Sequence, residues 1–503
     1  MKLLDILSPN LNKEEWESKG YKLPSYDLAA LARKTYESPT WVHFGGGNIF
    51  RAFPAAILNE VLNSGQYDRG VIVAETYDFE IVDKVYAPYN NLSLFVSLCS
   101  DGSVDKTIIG SITESLKVDP QFDDWKRLQD IFRNPSLQMI SFTITEKGYA
   151  FNETDLLRGL SPSFAMGKVA TLLLERFYAG HYPLTIQSMD NCSHNGDIAK
   201  EAILTYAKHW LQQGLVPSSF IDYLCNEQLI SFPWSMIDKI TPRPHEKVKQ
   251  MLTTDGFEDS EYIETKCHTF TAPFVNAEEV QYLVIEDKYT HGRPPLELGG
   301  VLYTTREIVD KVETMKVTTC LNPLHTALAI YGCLLGYNLI SAEMADDDLR
   351  LLIQKIGYME AMPVVTNPGI LNPYEFIGEV IQKRLPNPFM PDAPQRIAMD
   401  TSLKLSIRFG ETIKKYIIHS LNTDNLILIP LVLAGYARYL KGVMDDGTPF
   451  DPSPDPLLPE LMKLIAPLQI GKPDQDWTLL RQLYSRKDIF GVNLYEIGIG
   501  ERI

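Results

Sequence analysis

TWVHFGGGNIFR, residues Thr40 to Arg51, is the stretch whose reading decides the fold. Thr40 to Phe44 is short and rich in β-branched and aromatic side chains, the composition of a buried strand, and Phe50 to Leu62 reads as a helix. The turn between them and the start of that helix, Gly45-Gly46-Gly47-Asn48-Ile49-Phe50-Arg51, are the expected cofactor-binding residues. A glycine-rich turn in that context lets backbone N–H groups approach a pyrophosphate at a helix N-terminus. Phe50 replaces the last glycine of G-x-G-x-x-G, so the weight lies in the context rather than in the letters. A strand-to-helix corner without a ligand is the competing reading.

Outward from this point, Gly70 to Glu75 (GVIVAE) reads as a second strand. A carboxylate at its end can accept hydrogen bonds from both ribose hydroxyls of NAD and repel the extra phosphate of NADP; Glu75 is the candidate and Asp78 competes with it. Leu92 to Cys99 and Thr107 to Ile112, separated by Asp101-Gly102, read as a hairpin attached to the same sheet. Further strands are expected at Met139 to Thr145, Leu184 to Ser188 and Tyr282 to Glu286. Strands alternating with helices imply an α/β domain with a mostly parallel, Rossmann-type sheet. After Gly292-Arg293-Pro294-Pro295 apolar residues recur at helical spacing through Val301 to Met315, Leu328 to Leu339 and Asp348 to Ile356. The expected domains are therefore residues 1–295, binding the cofactor, and a mainly helical 296–503, carrying substrate and catalysis.

A chain of 503 residues is too long for one ordinary core. With 47 basic against 64 acidic residues the net charge is −17, which argues against nucleic acid or an anionic membrane as partner and for a small molecule. An anionic substrate would need a local Lys or Arg cluster against that field. The six cysteines form no CxxC pair, which fits a reducing cytoplasm, and neither a signal peptide nor a membrane span is apparent. Oligomeric state is open between a monomer and a small homo-oligomer.

Seven segments in order resemble the mannitol dehydrogenase family of long-chain polyol dehydrogenases, which also includes fructuronate and tagaturonate reductases. They are HFGGGNIFRAF (43–53), TITEKGY (143–149), SMDNCSHNG (188–196), FPWSMIDKITP (232–242), VIED (284–287), MKVTTCLNPLH (315–325) and RIAMDTSLKLSIR (396–408). The resemblance implies a Rossmann-type domain, a helical C-terminal domain like that of 6-phosphogluconate dehydrogenase, a cleft between them, and NAD-linked hydride transfer without zinc. It also implies roles: Lys316 as general base, His325 as its support, Asn191 and Asn322 as the carbonyl-polarising pair, and Asp238 and Glu146 as residues lining the substrate cleft.

The chemistry needs these types. Oxidation of a secondary alcohol removes the hydroxyl proton while hydride leaves the same carbon. A lysine amine ordinarily titrates near 10.4, and burial or neighbouring positive charge brings it towards working pH. Two asparagine N–H donors stabilise the alkoxide as an oxyanion hole does. Asn191, His194 and Asn195 could equally be turn residues, and a lone Lys or His is ordinarily a solvated charge or a satisfied core group. Their joint occurrence with the glycine turn favours the active-site reading.

One feature departs from the family, whose lysine-to-asparagine separation is one residue shorter than Lys316 to Asn322. On an unbroken helix Lys316 would lie about 180° from His325. A π-bulge could absorb the extra residue, or Pro323 could start a fresh helix with Asn322 as its N-cap, which would engage its side chain. For a sugar acid, Lys404 and Arg408 are spaced to hold the carboxylate from one helix face, an ordinary basic face being the alternative. The expected reaction is reduction of fructuronate to mannonate by NADH, ahead of tagaturonate reduction and mannitol oxidation. A silent sugar-acid sensor is the non-enzymatic alternative, and a zinc-dependent polyol dehydrogenase lacks its ligand pattern.

Overall fold

The run Trp41 to Phe44 is buried at every position, as a strand covered by helices on both faces requires. In the computed structural model, which describes residues 1–503, it is the first of six parallel strands: β1 (Trp41–Phe44), β2 (Val71–Glu75), β3 (Ile112–Lys117), β4 (Met139–Phe142), β5 (Leu184–Ser188) and β6 (Ile230–Ser231). They pair in the order β3-β2-β1-β4-β5-β6. This is the doubly wound order, in which the chain reverses between β1 and β4 and ligands bind beyond the carboxyl ends of the strands at that point. The period-two alternation of strands divides the core. Val42, Phe44, Ile140, Phe142 and Ile186 pack with the helices Asp124–Arg133 and Ala165–Gly180, whereas Trp41, Val71, Val73 and Met139 pack with Pro54–Asn63.

His43 joins β1 to β4 just below the switch point. Its Nδ1 lies 2.7 Å from Ser141 Oγ and its Nε2 2.8 Å from Thr143 Oγ1, and the ring stacks on Phe50. Burial pulls its pKa down to about 3, so it is a neutral structural group.

Three local expectations are corrected. The hairpin forms, as Ser93–Leu98 against Val104–Ile109, but it belongs to a separate four-stranded sheet with Tyr21–Lys22 and Phe274–Glu278. Phe274–Glu278 arrives from far along the chain to pair with Ser93–Leu98, and β3 takes the edge beside β2 instead. The helix expected from Phe50 to Leu62 is two helices, Asn48–Ala52 and Pro54–Asn63, because Pro54 lacks the N–H a continuous helix needs and excludes helical geometry at Phe53 (φ −131°, ψ −78°). The segment expected to be helical from Val301 begins as a strand, Leu302–Thr304, and turns helical only over Arg306–Met315. Tyr282–Glu286 is a strand, paired antiparallel with Ser235–Asp238 and parallel with Leu302–Thr304.

Against an expected boundary near residue 295, the chain divides into compact units of Met1–Cys99 with Ser103–Asp310, and Ser100–Gly102 with Lys311–Ile503. The second unit is built from helices such as Asn322–Leu335, Asp347–Lys355 and Leu428–Tyr439. Four π-helical turns interrupt it, at Lys316–Cys320, Ile356–Ala361, Val380–Arg384 and Ser406–Gly410. Such turns are rare and concentrate at functional sites. No helix is long and apolar enough to cross a membrane.

Candidate active site

In the first unit the glycine turn is shaped by close approach. Gly45 donates to Ala74 O at 2.9 Å, has φ +103°, and a Cβ there would lie 2.3 Å from the carbonyl oxygen of Thr143 across the switch point. Only glycine fits. Gly47 is the opposite case, since a Cβ would meet no protein atom. Both line a cavity of about 720 Å³ that also receives Glu75, Asp78 and Lys147. A glycine turn at the β1 end, open space over Gly47 and a cavity of this size fit a dinucleotide.

The two acids at the end of β2 are both turned inward. Glu75 accepts from the backbone N–H groups of Gly46 (2.6 Å), Tyr77 (2.9 Å) and Asp78 (3.1 Å), and burial nevertheless holds its carboxyl above the usual range. Asp78 accepts from Thr265 Oγ1 through Oδ2, while its Oδ1 has no hydrogen-bond partner.

Asn48, Phe50 and Arg51, expected to contact the cofactor, are placed behind the turn. The buried Arg51 guanidinium donates to Ala272 O (2.8 Å), Thr271 Oγ1 (2.7 Å), Ser93 Oγ (3.1 Å) and Asn48 Oδ1 (2.8 Å), and Phe50 covers His43. They brace the cradle instead of lining it, because the N–H groups of a buried guanidinium must find acceptors in the protein, and those on Nη1 and Nη2 do so here while Nε has none. Ile49 faces a second cavity.

That second cavity, of about 340 Å³, brings together Glu146, Asn191 and Asp238, with Thr143 and Thr145 common to both cavities. Asp190 shapes its wall. Its carboxylate accepts from Ile144 N (3.1 Å), Thr145 N (2.8 Å) and Tyr149 Oη (2.7 Å), which holds Thr145 at φ +63°, a strained conformation for a β-branched residue. Asp190 and Tyr149 were not among the expected site residues, although Asp190 adjoins Asn191 and Tyr149 ends the segment that holds Glu146. His194 and Asn195 are structural. Asn195 is buried and bonds to Asp190 O (3.0 Å) and Ser235 O (2.9 Å), and His194 stacks on Trp234 with ring centroids 3.9 Å apart.

In the second unit the extra residue between Lys316 and Asn322 is taken up by the π-helical turn Lys316–Cys320, closed by Leu321 N donating to Lys316 O at 3.1 Å. Removing one residue from the helical count reduces the offset of Lys316 from His325 from about 180° to about 80°. Lys316 is 4 % exposed. A fresh helix then starts at Asn322 with Pro323 in its first turn; its cap is Leu321, so the alternative in which the Asn322 side chain caps the helix does not occur.

His325 lies one turn further along. Burial and the positive charges of Arg408, Arg396 and Arg384 pull its pKa to about 4, opposed by Asp392, whose Oδ2 is 3.8 Å from Nε2. Arg408 donates to Thr326 Oγ1, a neutral partner, and burial lowers its pKa to about 10. Lys404 donates to Met399 O, and burial and Arg408 lower its pKa. The structure thus gathers Arg408, Arg396 and Arg384 around His325, the last two unnoticed in the sequence because each comes from a different helix. No group of three or more His, Cys, Asp or Glu side chains is placed to hold a metal ion.

Comparison with known proteins gives the family of the chain. Residues 39–298 match the mannitol dehydrogenase Rossmann domain and residues 308–493 the mannitol dehydrogenase C-terminal domain. The chain is 50% identical to the D-mannonate oxidoreductase of Thermotoga maritima, over 98% of this chain and 93% of that one. Among solved structures it resembles a substrate-free D-sorbitol dehydrogenase (TM-score 0.76, 24% identity, 96% of this chain and 97% of that one). It also resembles the Pseudomonas fluorescens mannitol 2-dehydrogenase in ternary complex with NAD and D-mannitol (TM-score 0.69, 24% identity, 100% and 96%). The chain belongs to the mannitol dehydrogenase family, with both the Rossmann and the C-terminal domain present, and is a dehydrogenase acting on CH–OH groups.

Proposed function

We propose that the protein interconverts D-fructuronate and D-mannonate with NAD(H), using Lys316 as the acid and base and no zinc. The observation that carries this reading is Arg408, a partly buried guanidinium whose hydrogen bond goes to the neutral Thr326 and which forms no ion pair. A substrate carboxylate is the natural partner for such a charge. The name of the Thermotoga maritima relative, at half identity over nearly the whole chain, points to the same substrate pair.

The dinucleotide supplies the hydride when bound. Gly45, Gly46 and Gly47 leave it room, and the acids Glu75 and Asp78 disfavour the additional phosphate of NADP. Asn191 and Asn322 donate hydrogen bonds to the substrate carbonyl oxygen, which becomes the alkoxide as hydride arrives at its carbon. Lys316 gives that oxygen a proton in reduction and removes it in oxidation. Glu146 and Asp238 accept from substrate hydroxyls, and Arg408 with Lys404 holds the carboxylate.

The test is NADH oxidation by the purified protein with fructuronate, tagaturonate, fructose and fructose 6-phosphate. Fructuronate is expected to show the highest kcat/KM. Tagaturonate in first place would reassign the stereochemistry, fructose would shift the reading to mannitol oxidation, and binding without any turnover would leave a sensor.

A further inference from the structure

His325 presents its two ring nitrogens to different surroundings. Nε2 is buried, has no hydrogen-bond partner and faces Asp392 Oδ2 at 3.8 Å. Asp392 is itself fixed, because its other carboxylate oxygen accepts from Arg396 and its carbonyl accepts from Ile340 N at 2.8 Å. Four charged groups act on the ring: Asp392, Arg384, Arg396 and Arg408, and Asp392 is the one anion among them.

A neutral imidazole carries its proton on one nitrogen and a lone pair on the other. With the proton on Nε2, an N–H points at the carboxylate, and a closure of about 1 Å makes a charge-assisted hydrogen bond. With the proton on Nδ1, a lone pair meets a carboxylate in a buried setting, where such repulsion is poorly screened. We propose that Asp392 is a positioning residue that fixes His325 as the Nε2–H tautomer and so leaves Nδ1 as a hydrogen-bond acceptor for a substrate hydroxyl. This rests on the reading of the site given above. Burial, aided by the three guanidiniums, keeps the ring neutral and prevents it from becoming a second donor. Asn322, three residues earlier on the same helix face, then supplies the donor for the carbonyl and His325 the acceptor for a neighbouring hydroxyl. A substrate with an O–H beside its carbonyl satisfies both.

The experiment is ring ¹⁵N NMR of the full-length, histidine-labelled enzyme, the His325 signals being assigned by their disappearance in His325→Gln. The wild type is expected to show Nε2 protonated and Nδ1 not. In Asp392→Asn an amide can donate to Nε2, so the proton should move to Nδ1. The kcat for fructuronate should then fall about 10²-fold, with the KM for NADH unchanged. Asp392→Glu should restore the Nε2–H signal and most of kcat. An Nδ1–H ring in the wild type overturns the proposal without any variant, and so does an unchanged tautomer in Asp392→Asn. If the wild type turns over no ketouronate, it is the functional reading that fails, and the ring signals still decide the tautomer.

Discussion

Replacing Arg408 by alanine asks directly whether the substrate is an anion. Burial takes this guanidinium from an ordinary 12.5 to about 10. That destabilises its charge by roughly 3 kcal/mol at 1.36 kcal/mol per pH unit. No carboxylate of the protein offsets the loss, since its hydrogen bond goes to Thr326 Oγ1. A bound carboxylate would recover about that amount, so the variant should raise the KM for fructuronate on the order of 10²-fold. For fructose, which has no carboxylate, only a neutral hydrogen bond of about 1 kcal/mol is at stake, a change of several-fold. Initial rates of NADH oxidation with both substrates, in wild type and Arg408→Ala, give the two ratios. Arg408→Lys should recover part of the difference, because a point charge replaces a planar fork. Equal rises in the two KM values would refute the assignment of the carboxylate to Arg408.

Lys316→Ala should abolish turnover while NADH still binds with near wild-type affinity by fluorescence titration; parallel loss of both would make Lys316 a structural residue. Gly45→Ala should lose at least about 2 kcal/mol of stability, from its positive φ and its collision with Thr143 O. Gly47→Ala should melt like the wild type yet bind NADH about tenfold more weakly, about 1.4 kcal/mol; a normal KM there would place the cofactor elsewhere. Glu343 is buried with neither carboxylate oxygen hydrogen-bonded, and burial raises its pKa to about 9. The folded protein then holds a proton that the unfolded chain releases above its usual 4.5. Its contribution is fully present below 4.5 and is lost as pH rises towards 9. Relative to Glu343→Gln, the wild type should lose stability by about 1.4 kcal/mol per pH unit in that window, measured by urea denaturation; a difference independent of pH would show the carboxyl to be ionised in the fold.

How much of this was legible beforehand depended on how far along the chain the deciding partner lay. The strand, glycine turn and helix at Trp41–Ala52 could be read directly, because burial of a short β-rich run and the backbone freedom of Gly45 are consequences of adjacent residues. The helical second half followed from periodicity. The six-residue step from Lys316 to Asn322 announced a backbone irregularity, and a π-helical turn is what a helix does with one residue too many. Other facts needed the tertiary structure. The hairpin Ser93–Leu98 with Val104–Ile109 joined a different sheet because Phe274–Glu278 competes for its edge, and strand propensity says nothing of partners so distant. Arg51 stood in the expected cofactor-binding run, whereas in the fold its guanidinium donates to Ser93, Thr271, Ala272 and Asn48. Likewise Arg396, Arg384 and Arg408, from separate helices, and Asp392, from the loop before Pro394, act on His325. Local backbone preference acts over a few residues and is written in order along the chain, whereas hydrogen-bond satisfaction and charge act through space, and only the folded chain says which groups are near.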